Sequence, residues 1–270
     1  MGAELPQTVR LSRSGELAVL EKDPITESGA VLLIGEAEQS HVEVDDPAFL
    51  LHDYIRRMRS VLTAVSSSQH WTPESALHLG AGALTLPRWM DDRWSGIEQT
   101  VVDYEPELVG FVLEHLPMRS VPASVVADAA EALTAHLAGQ QYDVVVIDLF
   151  NSAEAPAHLT EESFFRQALA LVRRGGLLLM NFGDDAGMRF ARTLTRTVLA
   201  AADEEASRVL VAGPDQVLSA HAEGNLILAV AGEDFTDAEL NQIWAAGPHP
   251  GDLLSGDELR QWGIPPRSAP

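Results

Sequence analysis

From Ser75 onward, short apolar runs alternate with longer amphipathic stretches. Ala76-Leu77-His78-Leu79 and Val144-Val145-Val146-Ile147 are too short and too uniformly apolar for surface helices. They read as strands buried on both faces. Strands are predicted over 75–80, 97–103, 124–127, 142–148, 176–182, 206–211 and 224–231. Helices are predicted over about 84–93, 105–115, 129–139, 161–173, 185–202 and 235–246. This alternation builds an α/β domain with a mostly parallel, seven-stranded sheet and helices on both faces. Upstream, Thr8-Val9-Arg10-Leu11, Leu17-Ala18-Val19-Leu20, Val31-Leu32-Leu33-Ile34 and His41-Val42-Glu43-Val44 are β-rich. Turn formers such as Ser12-Arg13-Ser14-Gly15 and Ser28-Gly29 separate them, so a small antiparallel sheet is expected. Asp45-Asp46-Pro47 then opens a linking helix, with acids at its positive end and Pro47 in its first turn. Phe49, Leu50, Ile55, Met58, Val61 and Leu62 recur at helical spacing along it. The predicted organisation is a small β-sheet domain (1–46), a linking helix and loop (47–74), the main domain (75–250) and an extended tail (251–270).

Composition narrows the partners. The chain has 270 residues, 46% of them hydrophobic, enough for one large α/β domain with a small appendage. No apolar run is long enough to span a bilayer, and the N-terminus lacks a secretory pattern. With no cysteine, thiolate catalysis and disulfides are excluded, and a cytoplasmic location is the default. The net charge of −22 keeps the protein soluble, repels nucleic acid and anionic lipid, and favours a cationic small molecule.

The chemistry concentrates between Ala76 and Asp103. Gly80-Ala81-Gly82 allows a tight turn after the first strand of the main sheet. Asp103 ends the second strand about twenty residues later, where an acid can accept ribose hydroxyls. This is the layout of a nucleoside-binding, Rossmann-like unit. Ligands of such sheets sit beyond the carboxyl ends of the strands. There the sequence places Asp103, Asp128 with Ala129, Asp148 with Asn151, and Asn181. The three acids are expected to outline one pocket. Each also has a plainer reading: a Gly-x-Gly can be an ordinary turn, and Asp103 and Asp128 can be helix caps. Asp148 is harder to explain that way, because it follows a fully apolar run and must find partners when buried. The nine histidines show no metal-ligand spacing, so no metal is expected. His78 reads as a satisfied core residue, and His158 as a residue near the mouth of the site. No Gly-x-Ser-x-Gly elbow or phosphate-binding Gly-Lys-Ser/Thr loop is present.

Taken in order, several segments resemble the spermidine synthase (polyamine aminopropyltransferase) family, a branch of the class I S-adenosylmethionine-dependent methyltransferase fold. They are Gly35 to Ser40, Asp45-Asp46-Pro47 with Tyr54 and Met58, the glycine turn, Val102 to Leu108, Val126 to Ala129, Tyr142 to Asp148, Pro156 to Thr160, and Gly175-Gly176-Leu177 before Asn181. The resemblance implies an adenosyl-sulfonium co-substrate, S-adenosylmethionine or its decarboxylated form. Gly80, Ala81, Gly82, Asp103, Asp128 and Ala129 would hold it. Gln39 and Tyr54 would meet the substrate, and Asp148, with Asn151, would position and deprotonate an attacking amine. It also implies that the N-terminal sheet assembles the chain into a homo-oligomer, a dimer or tetramer. Two departures are visible. Ala83 stands where the family's turn carries an acid, and Asn151 where its Asp-x-x-Asp motif has the second acid. Both point to an acceptor that differs from putrescine or is less cationic. Methyl transfer from ordinary S-adenosylmethionine and a non-catalytic relative are the alternatives.

Overall fold

The computed structural model describes residues 4–149 and 155–264. A four-stranded antiparallel sheet comes first: β1 (Gln7–Arg10), β2 (Leu17–Lys22), β3 (Gly29–Ile34) and β4 (Ala37–Glu43), paired in that order. The linking helix α1 (Asp53–Ser68) follows. The larger sheet and its helices are β5 (Ser75–Leu79), α2 (Thr85–Arg93), β6 (Glu98–Asp103), α3 (Leu108–His115), β7 (Ala123–Val126), α4 (Ala129–Glu131), β8 (Tyr142–Ile147), α5 (Glu162–Ala170), β9 (Val172–Asp184), α6 (Arg189–Ala201), β10 (Val209–Gly213), α7 (Asp215–Leu218), β11 (Gly224–Ala231), α8 (Asp237–Ala246), β12 (Asp252–Ser255) and α9 (Gly256–Trp262). Its strand order is β12-β10-β11-β9-β8-β5-β6-β7. Pairing is parallel from β9 through β8, β5 and β6 to β7, and antiparallel at β11, β10 and β12.

The alternation of side chains explains the layers. Leu77, Leu79, Val145 and Ile147 face one way, against Phe164 and Phe165 of α5 and Leu194 and Val198 of α6. Ala76, Val144 and Val146 face the other, against α1, α2 and α8. Because both faces are covered, β5 and β8 are buried at every position, which is why their sequences carry no polar alternation. His78, within β5, is the core residue it was expected to be. Its Nε2 lies 2.9 Å from Gln99 Oε1, and Gln99 in turn donates to the Pro87 carbonyl.

Three expectations change. The linking helix begins at Asp53, not at Pro47. Asp46 closes a turn of its own: its carboxylate accepts the Ala48 N–H (3.2 Å) and its carbonyl the Phe49 N–H (2.9 Å). The helix expected over 129–139 is a single α turn that continues as π-helix over Ala132–His136. Residues 251–264 do not form an extended tail. Beyond the expected seven strands, β12 adds an eighth by pairing with β10. The helix α9 then buries Leu259 completely, and the Trp262 indole donates to the Leu218 carbonyl at 2.8 Å.

Candidate active site

The ends of β5, β6, β8 and β9 open into a cleft of about 490 Å³, covered on one side by β4 and the start of α1. The glycine turn forms its floor. Gly80 has φ +97°, and a Cβ there would stand 2.1 Å from the Asp148 carbonyl oxygen, so glycine alone fits. Gly82, φ +49°, packs under Ser40, whose hydroxyl accepts the Ala83 N–H at 3.1 Å. Thus a strand of the small sheet is fastened to the turn of the large one.

Asp103 enters from β6. One carboxylate oxygen accepts the Ala81 N–H (2.9 Å), the other the Glu105 N–H (2.8 Å). Burial raises its pKa, and these two backbone donors work against the shift. Each oxygen keeps a free lone pair for a ligand hydroxyl. Asp148 follows β8, with its own N–H bonded to the Leu79 carbonyl at 2.8 Å. Its Oδ1 accepts the Asn181 amide at 2.9 Å and its Oδ2 the Tyr54 hydroxyl at 3.3 Å. Burial raises the Asp148 pKa, while Asn181, Tyr54 and the neighbouring His52 pull it down. Tyr54 is held well above its usual range by burial and by the Asp148 charge, so it stays a donor.

Of the residues expected in the site, Gln39, Tyr54, Gly80, Ala81, Gly82, Asp103 and Asp148 line this one cleft. Asp128 and Ala129 do not. Asp128 caps α4 through the Ala130 and Glu131 N–H groups, and its second oxygen faces His158 Nε2 at 2.9 Å. Of the three acids expected to converge, Asp103 and Asp148 meet in this cleft, and Asp128 stands outside its lining, beyond the end of β7. Asn151 lies outside the described residues. Ala83 is fully buried in the packing between the small sheet and α3. Arg56 and Arg57 do not line the cleft. Arg57 pairs with Asp53 (2.8 Å) and donates to the Pro248 carbonyl (3.0 Å).

Two features went unseen in the sequence. Glu38 and His52 also line the cleft, and Glu105 pins its edge by accepting the Arg13 and Ser14 N–H groups at 3.0 and 2.7 Å. The carboxylates of Glu38, Asp103, Glu105 and Asp148 meet no lysine or arginine among the described residues lining the cleft. In addition, Asn181 Oδ1 is buried with no hydrogen-bond partner beside Asp148. An orphaned acceptor next to acids suits an N–H donor. Among the described residues no cluster of His, Cys, Asp and Glu could hold a metal, and no helix is long and apolar enough to cross a membrane.

No protein-family profile matches the chain. Over 193 residues it is 28% identical to the polyamine aminopropyltransferase of Neisseria meningitidis serogroup A, covering 69% of this chain and 70% of that one. The crystal structure of a probable spermidine synthase from Corynebacterium glutamicum superposes with a TM-score of 0.85 at 24% identity, over 96% of this chain and 94% of that one. Human methyltransferase-like protein 13, solved in complex with SAH, superposes with a TM-score of 0.54 at 17% identity, over 82% and 96%. The chain thus has the spermidine synthase fold, a methyltransferase-like sheet preceded by a small antiparallel one, and its curated homologues include polyamine aminopropyltransferases.

Proposed function

We propose that this protein is a transferase that moves an aminopropyl group from decarboxylated S-adenosylmethionine to an amine, with Asp148 as the base. The observation that carries this reading is the charge of the cleft: four carboxylates, an orphaned Asn181 acceptor and no lining cation among the described residues. Such a lining favours a sulfonium with an ammonium tail. It disfavours the free carboxylate of ordinary S-adenosylmethionine, which would face acids with no lysine or arginine to offset them. Methyl transfer is the weaker reading for that reason.

The residues divide the work. The Gly80–Gly82 turn lets the nucleoside approach the backbone, and the free lone pairs of Asp103 take its ribose hydroxyls. Asp128 and Ala129, beyond the cleft at the end of β7, are assigned to the adenine rim, and Gln39 and Tyr54 to the substrate side. The sulfonium supplies an electrophilic carbon and leaves as a neutral thioether when the amine forms the new C–N bond. Asp148 takes the proton the amine loses. Tyr54 and Asn181 hold its two oxygens, and each oxygen keeps a further lone pair to accept a proton. Catalysis on this reading is mostly alignment plus general base assistance. Asp148 acts only when ionised, so turnover falls as pH drops through its raised pKa.

The test is release of methylthioadenosine from decarboxylated S-adenosylmethionine and a panel of primary amines, followed by mass spectrometry. Asp148→Asn is expected to lower the rate at least about a hundredfold. No thioether with any amine, or full turnover by Asp148→Asn, would reject the assignment.

A further inference from the structure

Three of the four cleft carboxylates already receive protein donors. Asp103 takes two backbone N–H groups, Glu105 takes two, and Asp148 takes Asn181 and Tyr54. Glu38 differs. Its nearest donor is His52 Nε2, 3.2 Å from Oε1, a contact that does not form a hydrogen bond, and His52 Nε2 is itself buried without a partner. The Glu38 side chain is 48% exposed.

Local structure explains why Glu38 faces the site. The register of β4 against β3 shifts between Leu32 and Leu33, so Ser40 opposes Leu32 and Glu38 opposes Leu33. The intervening Gln39 is the extra residue of a bulge. A bulge bends the strand and re-aims side chains that strict alternation would send to opposite faces. As a result Glu38, Gln39 and Ser40 all line the cleft. Burial holds His52 below its ordinary pKa despite the charges of Glu38 and Asp148, with His41 adding to the depression. At neutral pH His52 is therefore uncharged and leaves the Glu38 charge uncompensated. The buried, unpartnered Asn181 Oδ1 is an independent sign that the same cleft awaits a donor-bearing ligand.

We infer that Glu38 is a specificity-determining residue that binds a primary alkylammonium group separate from the nitrogen that reacts at Asp148. The inference rests on the transferase reading above. The bulge supplies a carboxylate that the motif positions lack, and where the bound ammonium is the acceptor's, the expectation of a less cationic acceptor is reversed. The ammonium has two sources, the aminopropyl tail of the donor or the far end of a diamine acceptor.

Calorimetry separates them with four probes on the parent and Glu38→Gln. The first pair is decarboxylated S-adenosylmethionine against methylthioadenosine, which lacks the tail. The second, measured with methylthioadenosine saturating, is 1,4-diaminobutane against butylamine. Glu38→Gln is expected to weaken either decarboxylated S-adenosylmethionine or 1,4-diaminobutane at least tenfold and to leave methylthioadenosine and butylamine, whose one nitrogen is the reacting one, unchanged; the probe affected identifies the source. Equal affinities of parent and variant for all four would overturn the role of Glu38 while leaving the transferase reading standing. A parent that binds none of the four would overturn both. Glu38→Gln preserves shape at a half-exposed position, so the fold is retained, and an unchanged circular dichroism spectrum checks this.

Discussion

At the scale of single residues, Asp103 and His78 make separable predictions. Asp103→Ala removes the proposed ribose acceptor and also leaves the Ala81 and Glu105 N–H groups without their partner. Methylthioadenosine affinity is expected to fall at least tenfold, about 1.4 kcal/mol, while the circular dichroism spectrum persists. Unchanged affinity would mean that the ribose lies elsewhere. His78 is a pH probe. Burial pushes its pKa from 6.5 down to about 4, partly opposed by Gln99. Above the unfolded value both states are neutral and pH has no leverage. Between 6.5 and 4 the unfolded chain takes up a proton that the folded chain refuses, so stability falls with pH across that window, by about 3 kcal/mol in total. Urea titrations should show His78→Gln losing less stability than the parent over the same window; parallel curves would exclude His78 as the source. Much of the site was legible at this scale. Gly80, Asp103 and Asp148 sit at strand ends, where chain position alone fixes spatial position. Glu38 and His52 were hidden because their position in the cleft depends on a bulge and on two elements folding against each other. A search for local histidine spacing could not reveal that. Asp128 shows what strand-end position leaves open: its carboxylate also makes a good helix cap, and it caps α4 outside the cleft lining.

At the scale of elements, the glycine turn and the C-terminal strand–helix pair matter most. Gly80→Ala would drive a methyl into the Asp148 carbonyl and strain a positive φ. A loss of about 2 kcal/mol or more is expected, with weaker nucleoside binding. A variant with the parent's urea midpoint would show that the turn relaxes freely. Truncation after Gly251 removes β12 and α9, with Leu259 and the Trp262 anchor. It is expected to cost at least about 2 kcal/mol, from the apolar area re-exposed, and an unchanged urea midpoint would count against the packing described. The central strands were legible because burial on both faces leaves an unbroken apolar run. The last pair was not. Its apolar run is only Leu253-Leu254, it stands among the glycines and prolines of residues 247–270, and its place in the fold comes from pairing with the distant β10. The start of α1 was misplaced because Asp46 and Pro47 serve a turn as readily as a helix N-terminus.

At the scale of the whole molecule, the net charge of −22 and the acidic cleft act in the same direction. Association of a cationic ligand should slow as ionic strength rises from about 0.01 to about 1 M, because the screening length falls from ~30 to ~3 Å. Stopped-flow rates for decarboxylated S-adenosylmethionine should show this slope, and methylthioadenosine, which is uncharged, should not. Equal slopes would mean that the surface charge does not steer the ligand. The most direct test is a calorimetric titration of the protein with decarboxylated and ordinary S-adenosylmethionine, side by side. Binding of the decarboxylated form at least tenfold more tightly is expected from a cleft whose described lining carries four carboxylates and no lysine or arginine. Equal or tighter binding of the carboxylate-bearing form would show that the cleft is not built for a ligand whose charge is wholly positive.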